Sequence, residues 1–397
     1  MSALALTSFT ATSAIGRGLE ATLASLRAQR SGLTPCRFET AALETCVGEV
    51  AGVDEVRLPR ELCEFDCRNN RLAWLALAQD GFTAAVARCV AHHGARRIGV
   101  FLGTSTSGIL ETEIAYRHRD STSGALPREF RYRGAHNTFS LAAFTKRALE
   151  LAGPAAVISC ACSSSAKVFA SAGRAIEAGL IDAAVVGGVD SLCLTTLYGF
   201  HALQLVARTP CRPFDAARDG ISIGEAAAFA LLERPTDDFD SAGVLLLGTG
   251  ESSDAYHMSS PPPDGRGARA AMLQALAAAG LEPGDIGYIN FHGTGTPSND
   301  AAEGLAVASV LGEEVPGSST KGATGHTLGA AGALEAVICA LALRAGLMPG
   351  GINTTQVDPT VPVSYLRENR RVPLARVMSN SFGFGGANCS LILALAG

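Results

Sequence analysis

The feature that most limits the fold is a plan that recurs along the chain: an apolar segment, a loop of small residues, then an alanine-rich segment. In one copy, residues 155–158 predict the end of a buried strand and residues 168–180 predict a helix. A second block with the same plan begins near Val244. Strands that alternate with helices in this way predict a layered α/β fold with largely parallel central strands.

This recurrence predicts two halves of similar architecture, residues 1–243 and 244–397, although no repeat is visible in the sequence itself. The first half should open with a strand in residues 1–16 and a helix in residues 18–30. Residues 71–93 predict one long amphipathic helix, and residues 111–140 predict an irregular surface excursion. Further strands are expected at 97–102, 183–186, 244–247, 286–291, 377–379 and 389–395, and further helices at 139–151, 268–279, 301–311 and 329–346.

Composition narrows the functional classes. The 397 residues are 47% hydrophobic with a net charge of -5, and no basic run suggests a nucleic-acid partner. We expect no membrane span, because the longest apolar candidate, residues 333–348, is interrupted by Glu335 and Arg344. The eleven cysteines are scattered along the chain, and the N-terminus does not have the pattern of a leader. We therefore expect free thiols in a reducing cytoplasm. No cysteine pair has a second pair at zinc spacing, so no metal is expected.

A cysteine at the turn after residue 158 is a candidate nucleophile. The unpaired N–H groups at the start of a helix favour a thiolate over a thiol. Cys160 and Cys162 both occupy this turn, and position alone does not choose between them. Buried cysteines also commonly serve as small hydrophobic residues, so this feature by itself leaves a structural role open.

Three small-residue loops in the second half each follow an apolar segment, and two of them carry a histidine. They are residues 290–300 with His292, residues 321–326 with His326, and the glycine-rich residues 380–388. Such loops let backbone N–H groups approach a ligand closely. Two imidazoles near a cysteine suit acyl transfer, because they exchange protons near neutral pH and donate N–H bonds to a developing oxyanion.

With these residues in view, the chain resembles a β-ketoacyl-[acyl-carrier-protein] synthase, the condensing enzyme of fatty-acid and polyketide assembly. The resemblance is specific from about residue 95 onward and looser before it, because several motifs occur in the family's order. These motifs are Ala161-Cys162-x-x-Ser165-Ala166, Arg212-Pro-Phe-Asp-x-x-Arg218-Asp-Gly-x-x-x-Gly224-Glu225, Asp254-Ala-Tyr-His-Met258, His292-Gly-Thr-Gly-Thr296, Lys321-x-x-x-Gly325-His326 and Phe382-Gly-Phe384-Gly-Gly386.

The resemblance implies a thiolase-like, five-layered α-β-α-β-α fold and a two-step reaction. Cys162 would accept an acyl group from the phosphopantetheine of acyl carrier protein. Malonyl-carrier protein would then lose carbon dioxide, with His292 and His326 holding the enolate oxygen. Lys321 would pair with Glu335 and orient the site electrostatically. No metal or diffusible cofactor is implied, since the phosphopantetheine arrives on the carrier protein.

The resemblance also assigns substrate contacts. The backbone N–H groups of Cys162 and Phe384 would form the oxyanion hole, with the Phe384 side chain gating the acyl tunnel. Thr294 and Thr296 would bind the pantetheine arm, and Phe382 would also contact substrate. Thr106 takes a position where an apolar residue often closes the acyl pocket in the family. The family is usually dimeric, so we expect a homodimer or a heterodimer with a ketosynthase-like paralogue.

Two other functions are weighed against this one. A non-catalytic chain-length-factor partner would resemble the enzyme but lack the nucleophile, and Cys162 argues against it. Thiolase chemistry on coenzyme A would need a second catalytic cysteine in the C-terminal loop, but Cys389 lies beyond that loop. The sequence departs from that of the housekeeping elongation enzymes at three places: Thr106, Lys167 and the segment 202–213, which is shorter here. These departures suggest a specialised elongation enzyme for a polyene or another secondary metabolite.

Overall fold

The computed structural model describes residues 2–397 and is a mixed α/β structure. Helices are α1 Leu19–Arg27, α2 Arg68–Leu77, α3 Phe82–His93, α4 Ile109–Arg117, α5 Ser140–Ala148, α6 Ser164–Glu177, α7 Leu194–Ala202, α8 Arg266–Ala279, α9 Pro297–Leu311, α10 Lys321–Thr324 and α11 Ala331–Ala345. Strands are β1 Leu4–Ser13, β2 Gly16–Arg17, β3 Thr34–Pro35, β4 Cys46–Gly48, β5 Ile98–Gly103, β6 Ala155–Ile158, β7 Ala183–Asp190, β8 Ile223–Gly224, β9 Ala226–Glu233, β10 Val244–Ser253, β11 Tyr288–Asn290, β12 Pro316–Ser318, β13 Leu347–Met348, β14 Ser364–Tyr365, β15 Arg370–Arg371, β16 Arg376–Gly383 and β17 Ala387–Leu395.

The principal strands reveal a duplicated topology. In the first half they lie side by side in the order β1-β9-β7-β5-β6, and in the second half in the order β10-β17-β16-β11-β12. When the five strands of each half are numbered along the chain, both orders read 1-5-4-2-3. The halves are joined where β1 runs antiparallel to β10, with Leu4 opposite Leu246. The expected similarity of the halves is therefore present in the strand order, while the exact boundary at 243/244 stays a prediction.

Helices α6 and α11 lie between the two halves of the sheet, and other helices cover the outside. Helix α6 contacts β5 and β7 of the first half as well as β10 and β17 of the second, and α11 contacts β9 and β16. Helices α2, α3 and α5 pack on the first half, and α8 packs on β10 and β17 with α9 beside it. This arrangement confirms the expected thiolase-like α-β-α-β-α layers.

Helix α11 is buried along nearly its whole length. All residues from Ala331 to Leu343 are buried, and apart from Glu335 they are apolar or glycine on every face, as suits a helix packed between two layers of sheet. The stretch Leu328–Ala345 is long and apolar enough to cross a membrane, but 89% of it is buried inside the protein. We therefore assign it as a core helix.

The single long helix expected over residues 71–93 is wrong. Two helices, α2 and α3, occupy this region because Asp80 and Gly81 adopt φ values of 55° and 68°. The Asp80 carboxylate accepts hydrogen bonds from the Leu19 N–H at 3.0 Å and the Thr10 hydroxyl at 2.7 Å. The break thus places a capping carboxylate at the start of α1.

The prediction of an irregular excursion over residues 111–140 is partly wrong, because α4 occupies Ile109–Arg117.

Helix α7 and strand β9 were not predicted from the sequence. Strand β9 is buried along nearly its whole length between β1 and β7. A strand covered on both faces lacks the apolar–polar alternation that would reveal it in the sequence.

The close contact between α6 and α11 yields a test of the fold. A Cβ atom on Gly332 of α11 would lie 2.6 Å from the backbone nitrogen of Ala166 in α6. Gly332→Ala should therefore lower the free energy of unfolding by about 1–3 kcal/mol, measured by urea titration with circular dichroism.

The matched control is Gly199→Ala in α7, where a Cβ would meet no heavy atom within 4 Å. There the gain in helix propensity should raise stability by about 0.5–1 kcal/mol. Equal stabilisation by both substitutions would contradict the close packing of the central helices.

Candidate active site

Three segments that are far apart in sequence bring one thiol and two imidazoles together. Cys162 lies in a 3₁₀ turn, Ala161–Ser163, between β6 and α6. His292 follows β11, and His326 lies between α10 and the 3₁₀ turn Leu328–Ala330. The Cys162 sulfur and one ring nitrogen of each histidine all lie within 4.8 Å of one another, and all three residues are buried. The expected triad is thus assembled in space.

The turn that presents Cys162 is strained and closed by hydroxyl groups. Ala161 has φ 52°, which is unusual for a residue with a Cβ. The Ser164 hydroxyl donates to the Ala161 carbonyl at 2.6 Å and accepts from the Cys160 N–H at 2.9 Å, and the Ser163 hydroxyl donates to the Cys160 carbonyl. These bonds explain why small hydroxyl residues follow the strand, and they hold Cys162 at the start of α6.

Cys160 does not reach the histidines. Its sulfur lies 3.5 Å from the Ser163 hydroxyl, and its side chain is outside the residues that line the cleft. The structure therefore separates the two cysteines that the sequence position could not, in favour of Cys162.

Lys321 is buried and contacts both Glu335 and His292. Its ammonium group donates to the Glu335 carboxylate at 2.5 Å and to the His292 carbonyl oxygen. It also lies 3.4 Å from His292 Nδ1. An ammonium group has only donors, so Nδ1 must be the acceptor, and the ring proton of a neutral His292 is then on Nε2. The prediction that Lys321 pairs with Glu335 agrees with this geometry.

Burial and Lys321 together keep the two imidazoles neutral. The pKa values of His292 and His326 lie well below their usual value, first because both rings are removed from water and second because the Lys321 ammonium is near. Their rings are 5.3 Å apart and nearly perpendicular. Both histidines are therefore neutral N–H donors at physiological pH.

The expectation that the helix would favour a thiolate at Cys162 is wrong for the resting site. Burial raises the pKa of this thiol to about 12, although Lys321 and the backbone N–H of Phe384 each lower it. Loss of hydration outweighs the local positive potential. The resting group is the thiol, and its proton has to leave as the sulfur attacks.

The His326 loop is held by the first half of the chain. The His326 N–H donates to the Ser222 carbonyl at 2.7 Å, and the Gly224 N–H donates to the His326 carbonyl at 2.9 Å. A Cβ on Gly224 would lie 2.3 Å from the Thr324 carbonyl oxygen. The next residue, Glu225, is buried and binds the Arg68 guanidinium. The motif ending in Gly224-Glu225 is thus an anchor for His326.

Two carboxylates on α9 hold the His292 loop, and neither was predicted to do so from the sequence. Glu303 accepts the N–H groups of His292 at 2.7 Å and Gly293 at 2.8 Å. Asp300 accepts the N–H of Thr294 at 3.0 Å. Both carboxylates lie in the helix that directly follows the histidine motif. This proximity in the sequence is the signal that could have identified them.

Asp190, at the end of β7, is a third carboxylate whose supporting role was not predicted from the sequence. It accepts hydrogen bonds from the hydroxyl groups of Thr104, Ser105 and Thr106 and from the Gly329 N–H just beyond His326. Thr106, expected at the acyl pocket, is therefore buried against Asp190 and is not among the residues that line the cleft.

A narrow cleft of about 610 Å³, including its open mouth, leads to the triad. Thr294 and Thr296 line it, with their hydroxyl oxygens 2.9 Å apart, as do Phe382 and Phe384. The Phe384 ring lies 5.5 Å from the Phe200 ring. These four predicted substrate contacts are therefore at the cleft, whereas Thr106 is not.

A thiol and two imidazoles could in principle hold zinc. Here the Nδ1 lone pair of His292 already faces the Lys321 ammonium at 3.4 Å, so the other nitrogen of the neutral ring carries the proton and is not a free metal ligand. The arrangement is better suited to stabilising negative charge that develops on a substrate.

Family models match both halves of the chain. The model described as "Beta-ketoacyl synthase, N-terminal domain" matches residues 1–238, and "Beta-ketoacyl synthase, C-terminal domain" matches residues 244–355. Among curated proteins, the chain is 38% identical over 260 residues to the mitochondrial 3-oxoacyl-[acyl-carrier-protein] synthase of Arabidopsis thaliana, covering 61% of this chain and 56% of that protein. It is 36% identical over 307 residues to nodulation protein E of Rhizobium meliloti, covering 75% of each.

Solved structures agree over the full length. A structure of the ketosynthase ApeO in complex with its chain length factor ApeC, from Xenorhabdus doucetiae, superimposes with a TM-score of 0.90 at 39% identity, covering 100% of this chain and 98% of that one. The ishigamide ketosynthase/chain length factor gives a TM-score of 0.89 at 28% identity, with full coverage of both chains.

The lowered histidine pKa values predict how stability depends on pH. Below the ordinary pKa of 6.5 the unfolded chain binds a proton at each histidine that the folded chain excludes. The free energy of unfolding should therefore fall as pH decreases through 6.5, by up to about 1.4 kcal/mol per pH unit for each histidine.

His326→Gln should flatten this slope below pH 6.5 by about one proton, measured by urea unfolding between pH 5 and 8. The exposed His201 offers a matched control for the substitution itself, as His201→Gln. An identical slope in His326→Gln and the unmodified protein would show that His326 is not held neutral.

Proposed function

The chain belongs to the β-ketoacyl synthase family, and we propose that it is a 3-oxoacyl-[acyl-carrier-protein] synthase that elongates an acyl chain held on Cys162. The observation that carries this proposal is the buried group of one thiol and two neutral imidazoles within 4.8 Å, beside Lys321. Decarboxylative condensation needs a nucleophile, two donors for an enolate oxygen and a low-dielectric site.

The first step is acyl transfer to Cys162. The sulfur attacks the thioester carbonyl of an acyl-carrier protein, the carrier thiolate leaves, and the thiol proton ends on that leaving sulfur. The Phe384 N–H, which lowers the pKa of the Cys162 thiol, and the Cys162 N–H stabilise the tetrahedral oxyanion.

The second step forms the nucleophilic carbon. The bond from the malonyl α-carbon to its carboxylate breaks, carbon dioxide leaves, and the electron pair becomes an enolate. The N–H groups of His292 and His326 donate to the enolate oxygen. Lys321 keeps the His292 proton on Nε2 and adds a positive charge behind it, so both effects stabilise the developing negative charge.

The third step makes the carbon–carbon bond. The enolate carbon attacks the acyl-Cys162 carbonyl, and the same two backbone N–H groups hold the new oxyanion. Collapse of this intermediate expels the Cys162 thiolate, which takes a proton from solvent, and leaves a 3-oxoacyl chain on the carrier protein. Because the chain is elongated on the carrier's phosphopantetheine, we propose that the reaction needs no metal or other cofactor.

We propose that the protein works as a dimer, either with itself or with a ketosynthase-like paralogue. Within residues 2–397, strand β6 pairs only with β5 and lies at the end of the sheet. Its four apolar residues, Ala155–Ile158, are all partly exposed. An unpaired apolar edge favours pairing with another chain. The structures with a chain length factor are consistent with the paralogue.

We further propose a specialised acyl substrate, such as the growing chain of a polyene or another secondary metabolite, and a cytoplasmic location. The similarity to ketosynthases that pair with chain length factors supports the first part. The eleven cysteines are all free thiols, which supports a reducing compartment.

Substitution of the nucleophile tests the proposed activity. Cys162→Ser should abolish stable acyl loading from acyl-carrier substrates, detected as the added mass of the intact protein. Cys160→Ser, two residues away, should load like the unmodified protein. Absence of loading on the unmodified protein, tested alone and with a supplied paralogue, would contradict the enzyme assignment and favour the non-catalytic partner.

Removal of one enolate donor should separate the two chemical steps. His326→Ala should lower malonyl decarboxylation by about 10²–10³-fold, the usual effect of losing one such donor, while part of the Cys162 acylation remains. Carbon dioxide release and acyl loading are measured on the same preparation. Complete loss of acylation in this variant would show that His326 acts in the first step.

Chain specificity is tested by competition. Saturated and conjugated acyl-carrier substrates of equal length are offered together, and the conjugated chain should be elongated faster. Equal or faster turnover of the saturated chain would contradict the specialised role without affecting the assigned chemistry.

A further inference from the structure

A second cluster of thiol, imidazole and carboxylate groups lies outside the active site. Cys89 and His93 are four residues apart on α3 and therefore share one face of that helix. Glu233, the last residue of β9, lies beneath them. One Glu233 oxygen is 3.4 Å from the Cys89 sulfur and 3.3 Å from His93 Nε2. The three groups all lie within 4.8 Å of one another.

The surroundings of this cluster orient the carboxylate and favour a cation. The second Glu233 oxygen accepts a hydrogen bond from the Thr7 hydroxyl, which fixes the carboxylate in the way that metal-binding carboxylates are commonly held. Asp182 and Arg97 lie nearby as an ion pair with contacts of 2.8 Å, so their opposite charges largely offset each other. The Glu233 carboxylate therefore supplies the negative charge that favours a cation.

We propose that Cys89, His93 and Glu233 bind one divalent transition-metal ion, with zinc as the best match. Sulfur, nitrogen and oxygen ligands at about 2.0–2.3 Å from zinc in a tetrahedron lie roughly 3.3–3.7 Å from one another. The two contacts to Glu233, 3.4 and 3.3 Å, already have this spacing. Three protein ligands leave the fourth position to water.

The protonation states define what binding requires. Burial and the neighbouring Glu233 raise the pKa of the Cys89 thiol, so the metal-free site holds a thiol whose proton is directed at the carboxylate. Binding replaces that proton with the metal–sulfur bond and releases it to solvent. Cys89 is buried, but the side chains of His93 and Glu233 are 22% and 18% exposed, so an ion can enter from the surface.

The position of the site indicates a structural role. Glu233 pairs with Ala183 at the beginning of β7, whereas Asp190 at the end of the same strand contacts the His326 segment. The two sites are thus separated by roughly 23 Å of strand, at about 3.3 Å per residue. The metal would join helix α3 to the C-terminal end of strand β9 without contacting the catalytic groups.

Cobalt titration tests this proposal. The Cys162→Ser chain is used as the parent, so that the active-site thiol contributes no signal. Metal-free parent protein is prepared with a chelator under reducing conditions and titrated with Co²⁺. We expect one equivalent of binding and a thiolate-to-cobalt charge-transfer band in the near ultraviolet, which added Zn²⁺ displaces.

Two variants and a control decide the assignment. Adding Cys89→Ser should remove the band, and adding His93→Gln should weaken binding at least about tenfold. Adding Cys63→Ser, at an exposed cysteine, should change neither. Zinc should raise the melting temperature of the parent by about 2–4 °C and leave Cys89→Ser unchanged.

Either of two results would overturn the proposal: no saturable Co²⁺ binding to the parent, or a band of the same intensity in Cys89→Ser. Circular dichroism checks that each variant is folded. If Cys89→Ser does not fold, His93→Gln decides, because its side chain is partly exposed: weakened binding supports the site and unchanged binding refutes it.

Discussion

The buried interaction of Lys321 with Glu335 and His292 is the constraint on which the site depends. A lysine that is 1% exposed is stable there only because a carboxylate and a carbonyl oxygen accept hydrogen bonds from its ammonium group. Removing one partner of such a pair typically costs about 3–5 kcal/mol, because an unpaired charge remains buried. The same ammonium group sets the His292 tautomer and lowers the pKa of both histidines. Stability and catalysis therefore rest on one contact.

The duplicated architecture explains why this contact can be maintained. Each half contributes one helix to the central layer, and each of these helices begins at the site: α6 follows Cys162, and α11 follows the His326 turn. Rigid strands behind these turns fix their position. Asp190 from the first half then binds Gly329 from the second, so the nucleophile and the proton donors are held together by groups from both halves.

Much of this could be predicted from the sequence, and the parts that could not have physical reasons. The loops around Cys162, His292 and His326 were identified because small residues stand out beside apolar strands. Asp190 and Glu303 were not, because a single buried carboxylate looks ordinary in a sequence and its role depends on backbone amides that only the fold brings near. The break at Asp80 was hidden by a continuous helical pattern. The thiolate expectation failed because the sequence shows the start of a helix but not how completely Cys162 is removed from water.

The most direct test of the account is the stoichiometry of one turnover. Protein carrying an acyl group on Cys162 is mixed with malonyl-carrier protein, with a paralogous partner supplied if one is needed, and carbon dioxide and carrier-bound products are measured together. We expect one carbon dioxide to be released for each 3-oxoacyl chain formed, and this chain should be two carbons longer than the loaded group. Release of the acyl group as a free acid, or carbon dioxide without a new carbon–carbon bond, would contradict it.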